Sequence, residues 1–510
     1  MLARVHSAAV MGVDAYPVQI EVDITRGLEA FNLVGLPDAA VRESRERVRS
    51  AIRNSGFQYP LERITVNLAP ADIRKEGPSF DLPIALGILI ASGQVAIDDV
   101  DETVIAGELS LDGLVRPISG ALPIALGARE DHKLRFICPE ANGPEAAVVD
   151  DFDVYAAQTL YDTVNMLEEG FLGEPVTVEP DDKNPTAAEY DVDMSDVRGQ
   201  EHVKRALEVA SAGGHNMLMI GPPGAGKTML ARRMPTILPP MIFDEALEVT
   251  KLYSVAGLMP ENTALLRTRP FRSPHHTVSR AGLVGGGSVP QPGEVSLAHY
   301  GVLFLDELPE FGHGTLEVLR QPLEDGVVTI ARAQMTLTFP ANFQLVAAMN
   351  PCPCGFRGDP ARQCTCTQGQ IARYLKRISG PLQDRIDIQV EVPRLNADEV
   401  MQKQPGERSE NVRGRVVRAR EIQKRRFDGT PFFNNASMNP KALRKFCVLN
   451  DEVSALLRSA IDQFQLSARA HDRIMKVART IADLEADEDI QVHHVAEAVQ
   501  YRSLDRKFWG

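Results

Sequence analysis

The chain has 510 residues, is 44% hydrophobic and 24% charged, and carries a net charge of -14. That length accommodates two to four domains, the composition is ordinary for a soluble globular protein, and no apolar run approaches the ~20 residues needed to cross a membrane. The opening Met1-Leu-Ala-Arg-Val-His6 lacks the charged-then-apolar layout of a signal peptide, so a cytoplasmic protein with no membrane partner is expected.

Charge is unevenly spread. Residues 1–195 carry 15 basic and 34 acidic side chains, whereas residues 196–510 carry 40 and 35. A nucleic-acid surface, if there is one, is therefore expected in the second part.

Residues 1–168 read as one α/β domain. Val18-Gln-Ile-Glu-Val-Asp-Ile24 and Ile64-Thr-Val-Asn-Leu68 alternate as half-buried strands. Helices are expected over 41–54 and 82–92, and Val104-Ile-Ala-Gly-Glu-Leu-Ser110 reads as a strand running into the turn at Asp112-Gly113. Lys75-Glu-Gly-Pro-Ser-Phe-Asp-Leu-Pro83, together with residues 107–120, resembles the proteolytic domain of the Lon family, with Ser79 at the nucleophile's position. The resemblance implies a lysine partner, but Leu122 stands at its place and no lysine lies between Lys75 and Lys133. A serine without a positioned base stays protonated and is a weak nucleophile, so a catalytically silent scaffold is expected.

Residues 169–193 are proline-rich and acidic and read as a linker to an ATPase core over 194–395. A helix is expected over 197–210. The apolar run Met217-Leu-Met-Ile220 leads into Gly221-Pro222-Pro223-Gly224-Ala225-Gly226-Lys227-Thr228 and then a helical pattern. Strand, glycine-rich loop and helix form the context a phosphate loop requires. Its backbone N–H groups would cradle the phosphates of ATP, Lys227 would reach the β- and γ-phosphates, and the Thr228 hydroxyl would ligate Mg²⁺.

A second signal is Gly301-Val-Leu-Phe-Leu-Asp-Glu307, an apolar strand ending in two carboxylates. Asp306 is expected in the Mg²⁺ shell and Glu307 as the group that polarises the attacking water. A third is Phe343-Gln-Leu-Val-Ala-Ala-Met-Asn350, where Asn350 is expected to orient that water beside Glu307.

Between these signals lie Arg269-Pro-Phe-Arg-Ser-Pro-His-His-Thr277, a glycine- and proline-rich stretch over 285–294, and a hairpin pattern over 328–338 with Arg332 near its tip. Such an insertion and hairpin resemble the AAA+ branch that holds the magnesium-chelatase ATPase subunit and the replicative MCM helicases. The resemblance implies loops facing a ring's pore, an adenine contact from the Gly199-Gln200 turn, and an arginine finger at Arg385 within Ser379-Gly-Pro-Leu-Gln-Asp-Arg385 that reaches a neighbouring subunit's γ-phosphate. Arg332 is then a candidate DNA contact or the cap of a solvated hairpin.

Residues 396–510 read as a helical lid. The basic run 413–426 is either a DNA contact or a solvated face. Arg469 opens the pattern over 466–484 and is, by the same resemblance, the sensor arginine touching nucleotide, with Arg473 the second choice.

Cys352, Cys354, Cys364 and Cys366 form two Cys-x-Cys pairs. Four thiolates in fifteen residues suit a structural Zn²⁺; a metal-free, redox-sensitive loop is the alternative.

The front domain, the phosphate loop, Ala348-Met-Asn-Pro-Cys-Pro-Cys354 and the lid together resemble the bacterial family of magnesium-chelatase-like AAA+ proteins, over nearly the whole length. That resemblance implies a hexameric ring that couples ATP hydrolysis to branch migration of single-stranded or branched DNA, a helicase activity serving homologous recombination and natural transformation. The alternatives are a chelatase-type ATPase remodelling a protein partner and an ATP-dependent protease.

Overall fold

Alternation along 18–24 and 64–68 predicts strands with one buried face, and both form as parts of longer strands. The computed structural model describes residues 2–72, 74–97, 100–171, 173–179, 190–287, 290–332, 335–359, 362–395, 406–464 and 467–509. Most of 180–193, the tip of the hairpin over 328–338 and the turn between the two cysteine pairs fall partly or wholly outside those residues. The chain divides into two compact units: Met1–Ala187 with Ile242–Arg267, and Ala188–Met241 with Thr268–Gly510.

The first unit is built on β1 (Leu2–Met11), β2 (Asp14–Thr25), β3 (Ala30–Val34), β4 (Arg63–Ala69), β5 (Thr103–Ile105), a small hairpin of β6 (Glu108–Leu109) and β7 (Val115–Arg116), then β8 (Arg135–Pro139) and β9 (Asp153–Ala157). Seven of these make one sheet in the order β3-β4-β2-β1-β5-β8-β9. β1 lies at its centre, antiparallel to β2 from Leu2↔Asp23 to Met11↔Asp14 and parallel to β5. The sequence does not predict β1, because its buried Ala3, Ala8 and Ala9 are too small to give a strong apolar rhythm. The expected helices form as Ser44–Asn54 and Asp81–Ala91. The second is buried on nearly every side, which is why its sequence is apolar all round.

Segment Ile242–Arg267, counted within 194–395 in the sequence reading, packs with this first unit. Its helix Phe243–Val255 lies against the helix Ala121–Glu130, with Leu247 in the apolar cluster around Leu122 and Phe136. Ser254 O accepts from Gly120 N at 2.9 Å, and Lys251 pairs with Asp14 at 2.8 Å.

In the second unit, β10 (Met217–Ile220), β11 (Phe271–Arg272), the hairpin β12 (Gly285–Gly286) and β13 (Gln291–Pro292), β14 (Val302–Leu305), the hairpin β15 (Val327–Ala331) and β16 (Thr336–Pro340), β17 (Gln344–Met349) and β18 (Ile388–Glu391) follow in order. Five form a parallel sheet ordered β11-β14-β17-β10-β18. The four residues of β10 and of β14 are all buried, as expected for parallel strands covered on both faces. β10 sits between β17 and β18, so the strand order reverses there, and a ligand crevice opens beyond the carboxyl ends of such strands.

The tail is helical: Ser409–Arg426, Pro440–Phe446, Asp451–Phe464, Ala468–Glu485, Val492–Gln500 and Leu504–Trp509. The helix expected over 197–210 begins later, at Glu201, because Gln200 takes a left-handed turn with φ 55°. No described helix is long and apolar enough to cross a membrane. The α/β class, with a front sheet domain, a parallel P-loop core and a helical lid, is as expected.

Part of the basic run 413–426 is taken up by internal pairing. Val412, Val416 and Ala419 bury one face. Arg415 pairs with Glu208 and Glu407, Arg420 donates to Ser211 O, and Arg426 grips the buried Asp483. Arg415 and Arg420 tie the lid to the core helix Glu201–Gly213, and Arg426 braces the lid internally.

Candidate nucleotide site and cysteine cluster

β10 delivers the chain to Gly221–Thr228, and the helix Lys227–Ile237 follows. Gly226 supplies the left-handed turn (φ 87°) that starts this helix, a conformation that costs other residues strain. The helix N-terminus and the loop amides thus face the mouth of the crevice, where an anion is favoured. Gln200 buttresses the loop from behind, its Nε2 donating to Ala225 O and Pro393 O at 2.9 Å each.

Lys227 is nearly buried. Its Nζ donates to Gly221 O at 2.7 Å, Pro222 O at 3.0 Å and Asn350 Oδ1 at 3.2 Å. Burial pulls the ammonium below its ordinary range, while Asp306 and Glu307 oppose that shift. A desolvated ammonium resting on loop carbonyls is poised to exchange them for phosphate oxygens.

Thr228 Oγ1 donates to Asp306 Oδ2 at 2.7 Å. A hydroxyl and a carboxylate meeting at the loop are hard oxygen donors of the kind magnesium takes, so these residues fit that ion. Glu307 follows in a left-handed conformation (φ 52°), with its N–H on Asp306 Oδ1 at 2.9 Å. Its Oε2 lies 3.4 Å from His276 Nδ1, a partner that no motif in the sequence had singled out. Lys227, Thr228, Asp306 and Asn350 are therefore brought together, with Glu307 beside them.

Arg385 and Arg469 lie in a different cluster. Arg385 pairs with Glu324, Arg469 with Asp384 at 2.5 Å, and Arg473 with Asp384 and Asp387 at 3.7 and 3.5 Å. Burial together with Arg320, Arg469 and Arg473 depresses Arg385, which marks four guanidiniums crowded at one corner. Arg385 Nε and Arg473 Nη1 are buried and have no hydrogen-bond acceptor among the described residues. Among the described residues no hydrogen bond or ion pair joins these arginines to Gly221–Thr228. Arg320 and Glu324 carry no signal in the sequence, because charges on a helix as short as Arg320–Asp325 have no periodicity, and Asp384 sits inside the Ser379–Arg385 motif without a role there.

The four cysteines converge. Cys352 Sγ lies 3.4 Å from Cys354 Sγ and 3.6 Å from Cys364 Sγ, Cys354 and Cys364 are 3.6 Å apart, and all four sulfurs lie within 4.8 Å of one another. Tetrahedral zinc with bonds of ~2.3 Å needs sulfurs ~3.8 Å apart, so the cluster fits that ion. Burial raises the Cys354 thiol, but the N–H groups of Phe356 and Thr365 outweigh it and bring it down to about 6. Gly355 (φ 85°) presses on the phosphate loop: a Cβ there would stand 2.6 Å from Pro223 Cδ. The cysteine loop and the phosphate loop are thus one packed object.

In the first unit Leu122 is fully buried among apolar side chains. Ser79 O accepts from Gly107 N at 2.8 Å. Lys75 is fully buried and its Nζ donates to Pro70 O. Asp81, two residues beyond Ser79, is bound by Arg47 at 2.6 and 3.1 Å, and burial raises its carboxyl to about 6 against that partner.

Three family descriptions match in series: subunit ChlI of magnesium chelatase over residues 20–142, magnesium chelatase subunit ChlI over 193–400, and the ChlI C-terminal region over 406–502. The chain is 47% identical to competence protein ComM of Haemophilus influenzae, covering 99% of this chain and 98% of that one. It is 44% identical to YifB of Escherichia coli over the same shares. Similarity to Lon protease 2 of Bacillus subtilis is 26% identity over 182 residues, 32% of each chain. With its phosphate loop, its parallel core and end-to-end similarity, this chain belongs to the magnesium-chelatase ChlI-like family of AAA ATPases.

Proposed function

We propose that the chain is a ring-forming cytoplasmic ATPase that couples ATP hydrolysis to DNA translocation and branch migration in homologous recombination and natural transformation. The observation that carries the ring is the separation of the site into two halves. Lys227, Thr228, Asp306 and Asn350 gather at one loop, while the arginine corner, beside its carboxylates Glu324, Asp384 and Asp387, keeps two buried guanidinium nitrogens with no hydrogen-bond acceptor among the described residues. A neighbouring copy's triphosphate would supply that acceptor, with Arg385 as the finger and Arg469 or Arg473 beside it.

Magnesium, held by Thr228 and Asp306, would neutralise charge developing on the phosphates. Lys227 would bind the terminal phosphates, Asn350 would orient water, and Glu307 would accept its proton. The DNA reading is supported by the full-length similarity to a competence protein and by Arg332, exposed beside the tip of its hairpin. Ser79 has no lysine at Leu122's place to activate it, so the front domain is read as a silent scaffold.

The test is ATP turnover with and without single-stranded or junction DNA, followed by branch migration on synthetic three- and four-strand junctions. DNA is expected to stimulate turnover, and turnover indifferent to every DNA would sink the motor reading in favour of a protein-remodelling ATPase. The cysteine cluster is read as a structural zinc site that stiffens the loop against Pro223. Elemental analysis of purified protein is expected to give about one zinc per chain, lost in Cys364→Ser; a ratio near zero in the parent chain would leave a metal-free loop.

A further inference from the structure

Asn350 stands at the first position past β17. Pro351 follows it, and a proline disfavours the helical region for the residue before it, which keeps the backbone there extended. Neighbours close on the residue from several sides. Lys227 Nζ donates to its Oδ1 at 3.2 Å. A Cβ on Gly355 would stand 3.8 Å from its Cγ. Its backbone N–H donates to the hydroxyl of Tyr374.

The chain returns to Asn350 through the cysteine cluster. Cys352, two residues after Asn350, is fully buried, and Cys366 leads directly into Thr367. Thr367 caps the helix Gln368–Leu375, its Oγ1 accepting from Gln370 N at 3.3 Å. Ile371, Tyr374 and Leu375, spaced as one helical face, turn inward. Tyr374 is 6% exposed. Burial, with Glu310 nearby, raises its phenol, so the hydroxyl stays neutral while it accepts from the Asn350 amide. Just past the helix, Arg377 donates to Pro309 O at 3.1 Å and pairs with Glu310 at 2.7 Å. One short helix is thus fixed both to the turn that follows Asp306-Glu307 and to the residue that ends β17.

We propose that Tyr374 is a positioning residue for ATP hydrolysis, holding the backbone at Asn350 so that the side-chain amide stays aimed at the attacking water. Its role rests on the reading of Asn350 as the group that orients this water. Lys227 leaves Asn350 Oδ1 once its ammonium turns to the terminal phosphates. Tyr374 and the Gly355 contact then keep the residue in place. The effect of the phenol therefore falls on kcat and not on ATP binding.

ATP turnover and binding of a fluorescent ATP analogue are measured on the full-length chain, Tyr374→Phe, Asn350→Ala and the double variant. Tyr374→Phe keeps the ring in its packed place and removes one oxygen. Loss of one hydrogen bond corresponds to about a threefold to tenfold change. Tyr374→Phe is expected to lower kcat by about that factor, with KM and nucleotide binding unchanged. Asn350→Ala is expected to lower kcat further. Adding Tyr374→Phe to it is expected to change nothing more, because no amide is left to aim, whereas a packing role alone would slow both backgrounds. A fall that comes through nucleotide binding, or a second fall on the Asn350→Ala background, would overturn the role of Tyr374. An impaired Asn350→Ala beside an unimpaired Tyr374→Phe would overturn that role alone. An Asn350→Ala variant as fast as the parent would overturn the water-orienting reading and the role of Tyr374 together, as would a parent chain that hydrolyses no ATP.

Discussion

Substitution of Lys227 by alanine is expected to abolish ATP binding, whereas Glu307→Gln is expected to bind ATP and fail to hydrolyse it. The two residues are close in space and opposite in role. Lys227 is nearly buried and holds three oxygens within 3.2 Å, which is the arrangement of a cation waiting for phosphate. Removing it takes a donor from those oxygens and takes away the charge that offsets the triphosphate. Among the described residues no hydrogen bond or ion pair joins the Glu307 side chain to the loop, so its amide analogue leaves binding intact and removes the proton acceptor, a loss of about 10²–10⁴ in kcat for such a group. Nucleotide binding by a fluorescent ATP analogue, beside turnover, separates the two. Equal binding in both variants would overturn the assignment of Lys227.

The second large effect is expected at Arg385. Arg385→Ala should bind ATP and assemble normally, yet lose on the order of 10³ in kcat, the low end of what an arginine finger supplies. Its present partner Glu324 is 59% exposed. Arg385 itself is only 13% exposed, but water can take over the exposed carboxylate when the guanidinium turns to a neighbour's triphosphate. Mixing Arg385→Ala with Lys227→Ala provides the decisive measurement. A ring containing both can pair an intact loop with an intact finger across one boundary and is expected to recover part of the lost turnover. If the mixture stays as inactive as either parent variant while assembling, the finger does not act between subunits.

Much of the site was legible in the sequence because it depends on short stretches with fixed local geometry. A phosphate loop needs its glycines, lysine and threonine in consecutive positions, and a strand that ends in two acids places both at one sheet edge. Gly221–Thr228, Asp306-Glu307 and Asn350 could therefore be read directly, and parallel pairing of β10, β14 and β17 brings them to one crevice. The four cysteines were legible for a related reason: only six occur in 510 residues, and four lie within one turn-rich segment.

Other features depended on contacts between distant stretches, which local pattern does not carry. His276 meets Glu307 only through the pairing of β11 with β14, thirty-one residues apart in the chain. The arginine corner joins Arg320, Arg385, and Arg469 with Arg473 from three separate stretches of the chain. Arg415, Arg420 and Arg426 read as a free basic face until Glu208, Ser211 and Asp483 are placed against them. The helix Phe243–Val255 looked like part of the ATPase core by position, but its buried face completes the cluster around Leu122 in the first unit. By itself the sequence determined the chemistry of the loop, the acidic pair and the cysteines, since each is set by residues adjacent along the chain. Tertiary structure alone decided which charges are spent on packing and which remain for a ligand, because burial and pairing are properties of surfaces that meet only on folding.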